Sequence, residues 1–254
     1  MTDTISKQPD YGIDAPLAIR NFAFIGLASI VAGVVLNLLL ASAQSTIATI
    51  LLILGVVFGA SLLITAGMMV WSSKVSKLLI CKQLIDSLAL RGNETVLDVG
   101  CGRGLLLNAA ARRLTTGKAI GIDLWQSQDQ SGNHPEVTLA NAHAEGVADR
   151  VEIKTGDMRE LPFPNGTVDV VVASLSIHNI PNKEGRAKAI REIARVLKPD
   201  GQFAVLDLHA IDEYARVLRE IGWQRVEVSG LSFQMFPPVR IVKARKPSAR
   251  QNAG

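Results

Sequence analysis

The stretch Thr95-Val-Leu-Asp-Val-Gly-Cys-Gly-Arg-Gly104 decides how the chain is read. Thr95–Val99 is a run of β-formers carrying one acid, Asp98, and it leads straight into Gly100, Gly102 and Gly104. The residues that follow, Leu105-Leu-Leu-Asn-Ala-Ala-Ala-Arg-Arg-Leu114, are strong helix formers. A strand, a tight loop and a helix are therefore expected. The loop should bring backbone close to another group, because glycine leaves that space and tolerates left-handed dihedrals. Amides opening the helix would favour an anionic part of that group. The spacing is G-x-G-x-G, whereas a dinucleotide fingerprint reads G-x-G-x-x-G. No G-x-x-x-x-G-K-[ST] occurs, which excludes a P-loop.

Charge does not call for a nucleic-acid partner: 27 Lys and Arg are mixed with 23 Asp and Glu for a net +4. The basic residues near the end (Lys243, Arg245, Lys246, Arg250) read as a solvated terminus. Cys81 and Cys101 are far apart in sequence and form neither a disulfide framework nor a metal-ligand spacing. No metal is expected, and the pattern fits a reducing compartment.

Hydropathy divides the chain. Residues 1–21 form a polar tail broken by Pro9, Gly12 and Pro16, and they read as mostly disordered. Residues 22–71 form a hairpin of two uncharged apolar runs, about 22–43 and 47–71, each long enough to cross a bilayer. Two buried helices of a soluble protein are the alternative reading. The short linker Ala41–Thr46 forces the runs antiparallel. Lys74, Lys77 and Lys82 after the second run, with Lys7 and Arg20 before the first, place both ends in the cytoplasm and the turn outside. Gly55 and Gly59 form a G-x-x-x-G pair, and Gly26 and Gly33 add small faces. These suit close contact within the hairpin, with contact between protomers of a homo-oligomer as the second option. Asn37 should bond across to the second helix or sit near the membrane interface.

From Ser73 to about Arg91 a helix is expected, lined by Leu78, Cys81, Ile85 and Leu88. Strand-like and helix-like runs then alternate through residues 72–247, followed by a short tail, 248–254. This alternation implies an α/β fold with a mainly parallel, doubly wound sheet, its ligand lying beyond the carboxyl ends of the strands. The last two strands, Arg225–Ser229 and Val239–Ala244, have no helix between them and should pair antiparallel. Asp123 ends the second strand about 20 residues past the glycine loop, where an acid accepts from ribose hydroxyls in such sheets. Asp157 ends the third strand, and Ser174 to Pro181 follows the fourth.

Val96–Gly104, Gly121–Asp123, Gly156–Phe163 with Asp169–Ala173, and Arg195-Val-Leu-Lys-Pro-Asp-Gly201 before Val205-Leu-Asp207 resemble the successive motifs of class I S-adenosylmethionine (SAM)-dependent methyltransferases. The likeness extends over roughly Ser73 to Pro247 and is nearest to bacterial methyltransferases of unassigned substrate. It implies a Rossmann-like sheet of seven strands in the order 3-2-1-4-5-7-6, the last antiparallel. It also implies SAM as methyl donor, with Asp98, Gly100, Cys101, Gly102 and Gly104 around its methionine part. Asp123 and Leu124 fall at the ribose, Asp157 and Met158 at the adenine, and Ser174 beside them. His178 is the candidate base and Asn179 the candidate positioning group; His209 reads as a polar loop residue and His143 as surface. Trp125, in the long polar stretch Leu124–Glu136, is expected to lie on the adenine or wall the pocket. Gly230–Pro238 is expected to supply the opposite wall.

The expected function is a membrane-anchored methyltransferase acting on a small-molecule or lipid-phase acceptor such as a quinone precursor, isoprenoid or phospholipid head group. The rival class is a non-catalytic, membrane-tethered SAM- or nucleotide-binding module.

Overall fold

The computed structural model describes residues 8–40, 46–126 and 130–248. The polar start before Gln8, the hairpin turn at 41–45 with its expected outside location, Ser127–Asp129 and the end after Ser248 lie outside them. Two long helices come first, α1 (Pro16–Leu40) and α2 (Thr46–Trp71). After α2 the helix does not stop. It continues through a π-helical turn, Ser72–Ser76, into α3 (Lys77–Asp86).

The rest alternates as the periodicities require: β1 (Thr95–Val99), α4 (Leu105–Ala111), β2 (Lys118–Asp123), α5 (Pro135–Ala144), β3 (Val151–Thr155), β4 (Val168–Ser174), α6 (Lys183–Val196), β5 (Leu197–Asp207), α7 (Ile211–Glu220), β6 (Val226–Val228) and β7 (Arg240–Arg245). The strands form one sheet in the order β3-β2-β1-β4-β5-β7-β6. β1 pairs in parallel with β2 and β4, while β7 runs antiparallel to both β5 and β6. β5 begins within the Arg195–Gly201 stretch. Leu197 already pairs with Val168, across a register shift between Val168 and Val170.

Alternation along each strand builds two cores. Val96, Val170, Val172 and Leu206 face α3 and α4, whereas Leu97, Val171, Phe203 and Val205 face α6 and α7. Asp98 shares the Val96 face, so its carboxylate is directed at the start of α4. The buried face of α3 is Ile80, Cys81, Leu84 and Ile85, with Leu88 beyond it. Leu78, expected on that face, is exposed, because the buried stripe of α3 runs through Lys77, Ile80, Cys81, Leu84 and Ile85 and Leu78 falls beside it.

Most of the apolar surface of α1 and α2 has no protein partner. Phe24 is 74% exposed and Leu39 71%. The buried residues of α1 are Gly26 and Gly33, and those of α2 are Ala48, Gly59 and Ala66, which mark the seam where the two helices touch. A Cβ on Gly59 would lie 2.4 Å from the Gly26 carbonyl and 2.5 Å from Ile30 Cγ1. The small residues thus serve contact within the hairpin. Asn37 lies in the last turn of α1.

The expectation of a disordered start does not hold for Gln8–Ala15. This segment crosses the carboxyl edge of the sheet before α1 begins. Tyr11 is buried, its hydroxyl donating to Glu145 (2.8 Å) and accepting from Asn108 (3.3 Å). The Asp10 amide donates to Asn141 Oδ1 (3.0 Å), and the Ile13 amide to Ser131 Oγ (3.1 Å). Specific side-chain partners on α4, α5 and the β2–α5 loop hold what composition alone read as solvated. We call this segment the strap.

Gly59→Val is expected to push the helices apart and to destabilise the chain by about 1–3 kcal/mol. Gly67→Ala, where an added Cβ meets nothing within 4 Å, should be silent. Thermal unfolding of the two purified variants beside the parent checks this. Equal midpoints for Gly59→Val and the parent would mean that the seam is not tight.

Candidate active site

A cavity of about 290 Å³ opens at the carboxyl ends of β1, β2 and β4. Asp98, Gly100, Cys101, Gly102, Asp123, Leu124, Asp157, Met158, Ser174 and Asn179 all line it, so residues spread over 82 positions of sequence meet at one edge. Gly104 and His178 are not among the lining residues.

The glycine loop is held by the protein itself. All three glycines have positive φ, at 71°, 51° and 84°. A Cβ on Gly100 would sit 2.3 Å from Ser176 Cβ, and one on Gly102 would sit 2.6 Å from Gln130 Oε1. The close approach inferred from the sequence is thus made to protein neighbours. The loop amides are also occupied. Gly100 and Cys101 donate to the Ile122 carbonyl, Gly102 to Asp123 Oδ2 (2.8 Å) and Arg103 to Gln130 Oε1 (3.1 Å). Gly104 donates to the Cys101 carbonyl, and Leu107 to Asp98 Oδ2 (2.9 Å).

Asp98 is nearly fully buried. Burial pushes its carboxyl up to about 8; the Leu107 amide opposes the shift and the charge of Asp123 adds to it. Cys101 is raised well above the usual thiol range by burial, reinforced by Asp98 and Asp123, and stays a neutral thiol. Asp123 Oδ1 accepts from the Trp125 amide (2.7 Å) and Asn133 Nδ2 (3.3 Å). Among the described residues Oδ2 accepts from Gly102 alone, which leaves it a lone pair for a ligand hydroxyl. Asp157 is gripped by the Arg159 guanidinium at 2.6–3.0 Å, which holds its carboxyl below the usual range.

Two expected walls are absent and one unexpected wall is present. Trp125 does not line the cavity: its indole donates to Thr155 Oγ1 (2.8 Å) instead, on the far side of β2. Gly230–Pro238 does not line it either. Met235 joins the α3–α4 core, and the Phe236 amide donates to Ser72 Oγ (2.9 Å) at the base of α2. The wall is formed by Tyr11 and Asp14 of the strap with Lys77 of α3. The one sequence signal for them was the pairing of acids and an aromatic within an otherwise breaker-rich start.

His178 lies beside the cavity. Its Nδ1 makes a very short contact with Asp207 Oδ1, and its amide donates to Asp207 Oδ2 (3.2 Å). Asp207 is fully buried and also accepts from the Leu208 amide (2.9 Å) and the Tyr214 hydroxyl (3.0 Å). Burial, then the charge of Asp207, keeps that hydroxyl protonated. The ring of His209 packs edge-on against His178 at 5.1 Å. With Nδ1 engaged, Nε2 is the ring nitrogen left for proton transfer. His143 is exposed on α5.

Comparison with known proteins agrees with this geometry. Residues 97–205 match the family model described as a methyltransferase domain. The chain is 33% identical over 138 residues to the sterol 4-C-methyltransferase strm-1 of Caenorhabditis elegans, covering 54% of this chain and 38% of that protein. It is 36% identical over 124 residues to the ubiquinone/menaquinone biosynthesis C-methyltransferase UbiE of Escherichia fergusonii, covering 48% and 46%. In both cases the match spans less than half of the relative's length. Among solved structures, the [4+2]-cyclase SpnF superposes with a TM-score of 0.57 at 20% identity, over 70% of this chain and 84% of that one. Residues 97–205 are thus similar to methyltransferase domains, and the seven-stranded sheet that carries them has a Rossmann-like strand order.

The cavity residues fit SAM. An acid with a spare acceptor lies at the ribose position. Two buried polar atoms without a protein partner, Arg103 Nε and Asn133 Oδ1, belong to lining residues. Among the described residues no group of three or more His, Cys, Asp and Glu is placed to hold a metal.

The state of Asp98 gives a pH test. Its folded value of about 8 lies above the ordinary 3.8, so the stability it contributes is present in acid and lost as pH rises through 8. Asp98→Asn cannot titrate. The parent should therefore lose stability relative to Asp98→Asn between about pH 5 and 9. Thermal midpoints of both across that range check it, and a constant difference would show Asp98 ionised throughout.

Proposed function

We propose that the protein is a membrane-anchored methyltransferase that moves the methyl group of SAM to a lipid-phase acceptor. The observation that carries this reading is the union of two features. The donor cavity is walled by residues at both ends of a helical hairpin, and that hairpin exposes apolar side chains along its length. Pro16–Leu40 and the Thr46–Asp86 helix each contain a window of mean hydropathy above 2, only 11% of it buried. A soluble core helix would bury most of such a window; here a bilayer is the phase that covers it. Both ends and the cavity then lie on one side, the cytoplasmic one by the Lys and Arg count. The names of the relatives support the acceptor class, since sterols and quinones partition into lipid.

Within the cavity Asp123 would hold the ribose, and Asp157 with Met158 the adenine. SAM supplies a methyl on a positively charged sulfur, and transfer is an in-line displacement. The main contribution of the chain is alignment in a site shielded from water. Asn179 lines the cavity and would position the acceptor. His178, held by Asp207, would remove a proton from a hydroxyl or acidic carbon through Nε2. The non-catalytic alternative is the weaker reading, because the loop, the ribose acid and the strand-four segment all remain in place.

If His178 is the base, His178→Ala should lower kcat by about 10²–10⁴-fold with SAM affinity unchanged. Asp207→Asn should lower kcat less and shift its pH profile. Parallel loss of SAM binding would assign both residues to the scaffold. The acceptor itself is found by incubating methyl-labelled SAM and purified protein with membrane and cytosol fractions of the host. Label recovered in the organic extract of membranes is the expected result. Label confined to water-soluble cytosolic products would replace the lipid acceptor with a soluble one, and no transfer to either fraction would favour the binding module.

A further inference from the structure

SAM carries a zwitterion at its methionine end, a carboxylate beside an ammonium group. The start of α4 was expected to take the carboxylate. Most of those amides are engaged, because those of Gly100 through Gly104 and of Leu107 already donate to protein acceptors. A side-chain cation would give the carboxylate a full opposite charge, and the cavity lining offers Lys77, Arg103 and Arg159. Arg159 is committed to Asp157. Arg103 donates from its terminal nitrogens to Asp10 and to the Ser131 carbonyl, each at 2.9 Å, while its buried Nε has no protein partner, so it is the competing cation.

Lys77 differs. Its side chain is 5% exposed, and its Nζ donates to Asp14 Oδ1 at 2.8 Å and, at the limit of bonding, to the Tyr11 carbonyl at 3.5 Å. An ammonium has three N–H donors, so at least one is left toward the cavity, in a place where little water can reach it. Asp14 is held in turn: its amide donates to Ser73 Oγ (3.1 Å), and Gln130 Nε2 donates to its Oδ1 (3.3 Å). Cation and anion thus stand side by side in the wall of the cavity that Asp98, Gly100 and Asp157 also line.

We infer that the Lys77–Asp14 ion pair is the receptor for the zwitterionic end of SAM, Lys77 taking the carboxylate and Asp14 the ammonium. The inference rests on the SAM reading given above. It makes the strap and the hairpin base part of the donor site.

Two ligands separate this role from a purely structural one. S-adenosylhomocysteine keeps the amino-acid end, whereas 5′-methylthioadenosine keeps adenine, ribose and sulfur but lacks it. Calorimetric titration of the full-length protein in detergent should give Lys77→Met about tenfold or more weaker binding of S-adenosylhomocysteine. Binding of methylthioadenosine should stay within about twofold of the parent. Lys77→Met leaves Asp14 unpaired, so the doubly neutral Lys77→Met/Asp14→Asn variant serves as the folding control and should show the same split. Equal losses for both ligands would make the pair only a clip for the strap and overturn the inference. Unchanged affinities would overturn it too, as would a selective loss in Arg103→Met but not in Lys77→Met. A parent protein that binds neither ligand would overturn the SAM reading itself.

Discussion

The hydrogen bond from the Leu107 amide to the buried Asp98 carboxylate is the constraint on which the donor edge depends. It ties the end of β1 to the first turn of α4 and so fixes the loop between them. With that loop fixed, Gly102 meets Asp123 and Gly100 meets Ser176, and three strand ends are locked to one another. Burying a carboxylate this deeply costs free energy, which appears as its raised pKa. A bound ligand ammonium nearby would offset that cost by favouring the ionised form. The site is therefore pre-shaped and electrostatically incomplete at the same place.

This arrangement also explains which parts of the molecule could be read from residues alone. The β1–loop–α4 unit, the sheet order and the lining by Asp98, Asp123 and Asp157 rest on short-range patterns: alternation in strands, glycine spacing, and acids at strand ends. Strand pairing brings those acids together without further information. Lys77 and Asp14 follow no such rule. They are 63 residues apart and meet because an antiparallel hairpin returns the chain to its starting level. A lysine after an apolar run reads as a membrane-flanking charge, and acids in a breaker-rich start read as solvent-facing. Both readings are reasonable for each residue by itself, and the contact between them overrides both.

The misplaced walls have a similar cause. Trp125 and Gly230–Pro238 are bulky, loop-borne and close in sequence to strand ends, which is how pocket walls commonly look. Trp125 nonetheless has a positive φ of 61°, and its indole turns to a hydroxyl on β3. The late loop is drawn to the helix base by Ser72 and by burial of Met235. Its Phe233 stays 77% exposed. Direction, which depends on backbone dihedrals, is not encoded in the residue types that make a loop look like a wall.

The hairpin and the soluble domain are consequently not independent modules joined by a linker. The helix that leaves α2 runs without a break into α3, and α3 packs directly beneath the sheet. At the other end the strap reaches α1 through a few residues, four of which bond to the β2–α5 loop, α4 or α5. The hairpin seam at Gly26 and Gly59 is thus joined through continuous helix to Lys77 and through the strap to Asp14. If the hairpin spans a bilayer as proposed, this path would relate the plane of the membrane to the orientation of the cavity.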